Sequence, residues 1–289
     1  MIDLIVEPMT YEFMRRALLV VTASGIAGAL LSCWLVHMGW SLMGDAVSHA
    51  VLPGVVIAGM TGIPFAAGAL IAALVAVTLI GAVRGSGTVR EDAAMGIVFT
   101  ALFSLGLVLI ARFPSQRDLH SILFGSVLGV RDSDLYQVLA VSVFTVIVLL
   151  AFRRDLIMVA FDRLHAHTLG LRTGALTALL LATLATATVA GVQSVGVILV
   201  VATLIIPGAT AQLLADTMRG TMILSVVVAL LGGVVGLYVG YYADLPPGPV
   251  VVLTQAVIFA AAQLFAPGRG VIPRAAASAR SRRSGMMPA

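Results

Sequence analysis

The 289-residue sequence predicts an all-α fold, a polytopic transmembrane helical bundle of eight or nine spans. Three observations carry that prediction. The chain is 60% hydrophobic and only 10% charged, with a mean hydropathy of +1.10, whereas an ordinary soluble domain carries about a quarter charged residues. Its charges fall in short clusters separated by apolar runs, and a helix needs about 17–25 such residues to cross the hydrocarbon of a bilayer. So little polar surface could not cover a water-exposed exterior.

The apolar segments lie at 17–36, 38–60, 64–83, 93–111, 135–152, 174–190, 195–214, 220–243 and 249–266. The stretch 119–130, LHSILFGSVLGV, is too short to cross and too apolar to lie freely in water, and is expected as a re-entrant or interfacial helix. The opening MIDLIVEPMTYEF carries early acids and lacks a basic n-region, which does not fit a cleaved signal peptide. Residues 1–268 are expected to form one transmembrane domain. Residues 269–289, small, basic and poor in apolar side chains, read as a disordered cytoplasmic tail near anionic headgroups.

Arginine accounts for all 17 basic residues, and lysine is absent. That excludes a Walker A loop, whose lysine reaches the nucleotide phosphates. Any ATP chemistry therefore belongs to another chain, and no catalytic residue is expected in this one. The single cysteine, Cys33, excludes an intrachain disulfide and a Cys-rich metal site. The pI of about 9.8 reports orientation in a membrane rather than nucleic-acid binding, because basic loops are retained in the cytoplasm. With nine crossings, loops 84–92, 153–172 and 215–219 share one side with the tail and hold twelve Arg, against five on the opposite side. The arginine-rich set is expected inside, with the N-terminus outside.

Set against these spans, the acidic and histidine side chains lie in loops or at span edges, with one exception. Asp45 and His49 lie within SLMGDAVSHAVLPGV. For a helix starting near Met38, Asp45 lies ~10 Å and His49 ~16 Å along it at 1.5 Å per residue. The i, i+4 spacing puts both on one face. An ionised Asp at that depth costs at least about 2.5–3.5 kcal/mol and must be compensated. A divalent cation would do so, with a carboxylate oxygen and an imidazole nitrogen forming a mixed set suited to Mn, Fe or Zn. A proton relay and a structural Asp–His hydrogen bond are the other readings. As a metal site the pair is incomplete, so further ligands would have to come from other helices or a second subunit.

Pro53 and Gly54 follow directly and are expected to break the helix as a hinge, since Pro removes a backbone donor and Gly resists helix. Pro207 and Gly208, in LIIPGATAQ, are expected to repeat the break, a device that transporters place beside midplane sites. Gly232, Gly236 and Gly240 form a small-xxx-small stripe for close helix packing. The polar segment FDRLHAHTLGLRTG, 161–174, is expected to be helical, either as a solvated connector or as a docking element for a cytoplasmic partner. His165 and His167 are two apart and cannot share one helical face, which argues against a metal site there.

The run SLMGDAVSHAVLPGV resembles the hallmark of the manganese/zinc/iron permeases of bacterial ABC importers. The similarity continues through REDAAMGIVFTALFSLGLVL, DLHSILFGSVLGV, FDRLHAHTLGLR and VGVILVVATLIIPGATAQLL, in order, over about residues 14–265. One departure is His37-Met38-Gly39-Trp40, where family members carry basic residues. The resemblance implies a type II, vitamin-B12-importer-like permease in the bacterial cytoplasmic (inner) membrane. It implies a second permease copy or paralogue, a dimer of cytoplasmic ATP-binding subunits and an extracytoplasmic solute-binding protein that delivers the metal. It implies no permanently bound cofactor, the divalent metal (Mn²⁺, Fe²⁺ or Zn²⁺) being cargo. PSQRDLHSILFGSVLGV is closer to manganese or iron members than to zinc ones. Asp45 and His49 match positions lining the metal path, and 161–172, with Asp162, Arg163, Leu169 and Gly170, matches the coupling helix pressed by the ATPase. The reading from residues alone keeps a proton-coupled secondary metal transporter or channel as the alternative.

Overall fold

The computed structural model describes residues 2–85, 87, 89–113, 132–267 and 269–273. The expected short helix at 119–130 and nearly all of the tail lie outside them. The helices are α1 (Ile2–Thr10), α2 (Glu12–His37), α3 (Met43–Ala50), α4 (Leu52–Thr61), α5 (Phe65–Gly85), α6 (Glu91–Arg112), α7 (Asp132–Ala151), α8 (Arg153–Phe161), α9 (Arg163–Thr168), α10 (Thr173–Val195), α11 (Val197–Leu214), α12 (Met218–Tyr242) and α13 (Pro247–Phe265). Counting α3 and α4 as one crossing, nine of these units among the described residues are long and apolar enough to span a membrane. They coincide with the nine apolar segments of the sequence. The short α1, which hydrophobicity did not mark as an element, precedes them.

Two features depart from the sequence expectation. The second span begins at Met43 rather than near Met38. Residues 38–40 instead close α2 in a Schellman turn: Gly39 has φ +74°, its N–H donates to Val36 O at 3.2 Å, and Trp40 N–H donates to Leu35 O at 2.7 Å. Only glycine adopts that left-handed conformation without a Cβ penalty. The second departure concerns Pro207, where α11 runs unbroken from Val197 to Leu214. The helix is braced from outside on both sides of the proline. The Ser32 hydroxyl of α2 donates to Ile205 O at 3.2 Å and accepts the Gly208 N–H at 3.0 Å.

Close helix crossings organise the bundle, and they depend on small residues. A Cβ on Gly28 would meet the Thr203 side chain, one on Gly236 would meet the Val251 backbone at 2.5 Å, and one on Gly232 would press on Gln255. The glycine stripe of α12 therefore packs against α13 within the same chain, and α2 packs on α11. A second crossing joins α4 to α5, where Gly54 and Gly68 each face the other's carbonyl. Large apolar side chains such as Ile71, Val108, Ile223, Leu253 and Val257 remain well exposed on the periphery, as hydrocarbon solvent permits.

One end of the bundle gathers the arginine-rich connections. The Arg84 guanidinium lies 4.6 Å from the centre of the Trp40 ring, and the His37 ring lies 4.0 Å from that of Phe161. The α2–α3 turn thus shares an end with 84–92 and 153–172.

Candidate functional site

The pair at 45 and 49 sits on α3, a short helix between α6 and α11. Although α3 starts later than expected, Asp45 still lies deep along the bundle. Its neighbour Gly44 abuts Leu204, near the middle of α11. His49 is one turn further toward the Val197 end. The i, i+4 spacing brings His49 Nε2 to 3.4 Å from Asp45 Oδ1. Both side chains keep partial access, 23% and 36%, because they line an open cleft of about 370 Å³. The opposite wall is apolar: Val197, Ile198, Val201, Ala202, Ile205 and Ile206 from α11, with Val252 from α13.

The imidazole is held by two aromatic rings from α6. Phe99 and Phe103 each lie 5.3 Å from it, the second edge-on at 80°. This leaves Nε2 facing the carboxylate. Sequence reasoning missed both phenylalanines; their signal was the i, i+4 spacing within MGIVFTALFSLGL. Two metal ligands about 2.1 Å from one ion lie about 3.0 Å apart at the octahedral angle and about 3.4 Å at the tetrahedral one, so the separation is compatible with a shared cation. It is long for a charge-assisted hydrogen bond, which is about 2.7–2.9 Å. Among the described residues, no group of three or more His, Cys, Asp or Glu side chains converges.

Directly after His49 the helix is interrupted at Val51, and Pro53 occupies the first turn of α4, where its missing N–H costs little. Gly54 is the contact point with Gly68. Pro207 and Gly208 lie just beyond the cleft residues Ile205 and Ile206 on α11.

The segment 161–172 lies at the arginine-rich end. Asp162 separates α8 from α9 and caps α9, its Oδ1 accepting the His165 N–H at 2.8 Å. After Thr168 a second Schellman turn closes the helix: Gly170 has φ +80°, its N–H donates to His167 O, and Leu171 N–H donates to Ala166 O. The helix is shorter than 161–172, but its cap and stop are Asp162 and Gly170. Arg163 is exposed, and an apolar patch of Phe161, Leu164 and Leu169 stands 56–76% exposed.

Nine apolar crossings among the described residues, with a polar pair on a cleft and a capped helix at the arginine-rich end, describe a multi-pass membrane protein. Residues 10–266 match the ABC 3 transport family, and the chain belongs to that family. It is 44% identical to the manganese transport system membrane protein MntB of Synechocystis sp., over 93% of this chain and 88% of that one. It is 40% identical to the chelated iron transport system membrane protein YfeD of Yersinia pestis, over 91% and 89%. Its fold is similar to a structure of PsaBC from Streptococcus pneumoniae in complex with Fab, at a TM-score of 0.83 and 35% identity, covering 93% of this chain and 98% of that one.

Proposed function

We propose that this chain is the permease subunit of an ATP-driven importer that carries manganese across the bacterial inner membrane, with Asp45 and His49 as its half of the metal site. The observation that carries this reading is the 3.4 Å Asp45–His49 pair on an otherwise apolar cleft. A cation between the two would offset the cost of an ionised carboxylate among helices, and the long separation disfavours a purely structural hydrogen bond. An oxygen and a nitrogen ligand suit manganese, iron or zinc. The match to a manganese transport protein at 44% identity, against 40% for a chelated-iron one, favours manganese. A second permease, identical or related, would bring up two further ligands.

ATP hydrolysis then lies on a separate cytoplasmic subunit, consistent with the absence of any lysine for a Walker A loop. That subunit presses on the 161–172 segment, where Asp162 and Gly170 fix the helix ends and Arg163 and Leu169 offer contact. Pro53 and Gly54 act as the hinge beside the pair. At Pro207 and Gly208 the helix is continuous, and any hinge there works through the Ser32 contact. An extracytoplasmic solute-binding protein delivers the ion. Residues 1–268 form the permease domain and 269–289 a basic cytoplasmic tail.

The test is radioactive manganese uptake by cells carrying wild type, Asp45→Ala or His49→Ala at matched membrane levels. Loss of a direct ligand is expected to reduce uptake at least about tenfold, since even outer-shell partners of metal ligands cost 10–100-fold. Unchanged uptake in both variants rejects the ligand assignment. Uptake by the purified chain alone, driven by a proton gradient, rejects the ATP-driven reading.

A further inference from the structure

One contact links the cytoplasmic connector to the turn that precedes the metal pair, and the transport reading does not itself require it. Phe161 is the last residue of α8, immediately before the Asp162 cap of α9. Its ring stacks on His37, the last residue of α2, with centroids 4.0 Å apart and planes at 40°. Between His37 and Asp45 the backbone is tied at the two ends of the turn. Met38 N–H donates to Trp34 O, Gly39 to Val36 O and Trp40 to Leu35 O; Met43 donates to Trp40 O and Ala46 to Leu42 O. Trp40 is 3% exposed and carries the Arg84 guanidinium against its ring. The bonds from 38–40 fasten the turn to the end of α2, and Met43 N–H to Trp40 O joins it to the start of α3, so a shift of the α2 tip is passed toward Asp45.

Further up, α2 is clamped to α11 by Ser32, with hydrogen bonds to Ile205 O and Gly208 N–H, and Cys33 Sγ lies 3.0 Å from Ser225 Oγ of α12. Between that clamp and α3 lie the last turn of α2 and the turn after it, and Phe161 bears on the tip of that part. α3 starts where that part ends, and Asp45 is in its first turn.

We propose that the His37–Phe161 stack is the mechanical link by which displacement of the 153–172 connector repositions Asp45, making His37 and Phe161 positioning residues for transport. The inference rests on the reading of 161–172 as the segment pressed by an ATPase. It accounts for an aromatic pair at this junction, because two bulky rings in van der Waals contact carry a push from one helix end to the other. His37 does not touch the ion; it acts through the turn.

The test uses the full complex of permease and ATP-binding subunit in proteoliposomes with the solute-binding protein, measuring ATP hydrolysis and manganese uptake in parallel. His37→Ala is expected to retain ATP hydrolysis while manganese moved per ATP falls about fivefold or more, the range of a typical coupling between sites, and Phe161→Ala should lower the same ratio. The double variant His37→Ala/Phe161→Ala should be no worse than either single one, because both remove the same contact. His37→Phe, which keeps a ring, should restore the wild-type ratio. A ratio unchanged in the alanine variants, or hydrolysis and uptake falling together, overturns the proposal. So does loss of the ratio in His37→Phe, a variant that also decides the matter if the alanine variants fold poorly. Failure of the underlying reading shows differently: the wild-type complex would then transport manganese without hydrolysing ATP.

Discussion

Ser32 on α2 and Gly208 on α11 are locked together in both senses. The serine hydroxyl accepts the Gly208 N–H at 3.0 Å while donating to Ile205 O, and the missing Cβ of Gly208 is what lets Ser32 come that close. A Cβ built there meets the Ser32 side chain and, at 2.7 Å, its backbone carbonyl. Gly208→Ala is therefore expected to force α2 off α11 and lower stability by about 1–3 kcal/mol, the usual cost of overpacking. Ser32→Ala keeps the approach and loses only the hydrogen bonds, at about 0.6–1.7 kcal/mol within a membrane bundle. Thermal unfolding of the purified protein in detergent checks the order; a Ser32→Ala more damaging than Gly208→Ala would refute it.

Pro53 and Gly54 separate into two roles that the sequence presented as one. Gly54 is a packing residue, facing the Gly68 carbonyl with the Ala72 methyl close behind, so Gly54→Ala should reduce the amount of folded protein. Pro53 sits in the first turn of α4, just after the interruption at Val51. Pro53→Ala restores a backbone donor and permits α3 and α4 to join as one helix. The expected result is equal or higher melting temperature with slower metal uptake, the familiar trade of flexibility for stability. Faster or unchanged uptake would remove the hinge role.

The number and positions of the crossings were legible because hydrocarbon demands long apolar runs and excludes charge, a constraint that acts on every residue of a span. Asp45 and His49 stood out for the same reason. What local pattern could not show was how the backbone is satisfied by distant partners. Pro207 looked like a break, but Ser32, far away in sequence, braces the helix on both sides of it. Met38 looked like the start of a helix, but the left-handed Gly39 uses those residues to finish the preceding one. Phe99 and Phe103 are, in sequence, two apolar residues of a span among many, and only the packing of α6 on α3 turns them toward His49.

Those two rings offer the next test. Each lies 5.3 Å from the imidazole centre, and aromatic pairs contribute about 0.5–1.5 kcal/mol beyond the area they bury. Phe103 is half-buried, so truncation leaves the fold largely intact and frees the imidazole to rotate. Phe103→Ala is expected to raise the apparent KM for manganese about two- to tenfold with maximal uptake little changed, because about 1.4 kcal/mol corresponds to tenfold in binding. Phe103→Leu, which keeps bulk without the ring edge, should fall between. A Phe103→Ala variant with wild-type KM would show that the rings do not orient His49.

The capped helix α9 gives the last prediction, and here the two ends should differ. Asp162 supplies a side-chain acceptor to His165 N–H at 2.8 Å, and replacing such a cap by alanine costs about 0.5–2 kcal/mol of local helix stability. Gly170 holds φ +80°, a conformation that costs a non-glycine residue about 1–2 kcal/mol and that asparagine tolerates better than alanine. Both residues are exposed, so neither change should disturb the bundle. Asp162→Ala and Gly170→Ala are expected to leave the melting temperature within a degree or two, since surface changes away from the core are worth about 0.5 kcal/mol globally, yet to weaken co-purification of the ATP-binding subunit and reduce uptake. Gly170→Asn should retain more of both than Gly170→Ala. If Gly170→Asn and Gly170→Ala prove equally defective, then the left-handed stop is not what the partner requires, and the exposed Leu164 and Leu169 surface becomes the feature to mutate.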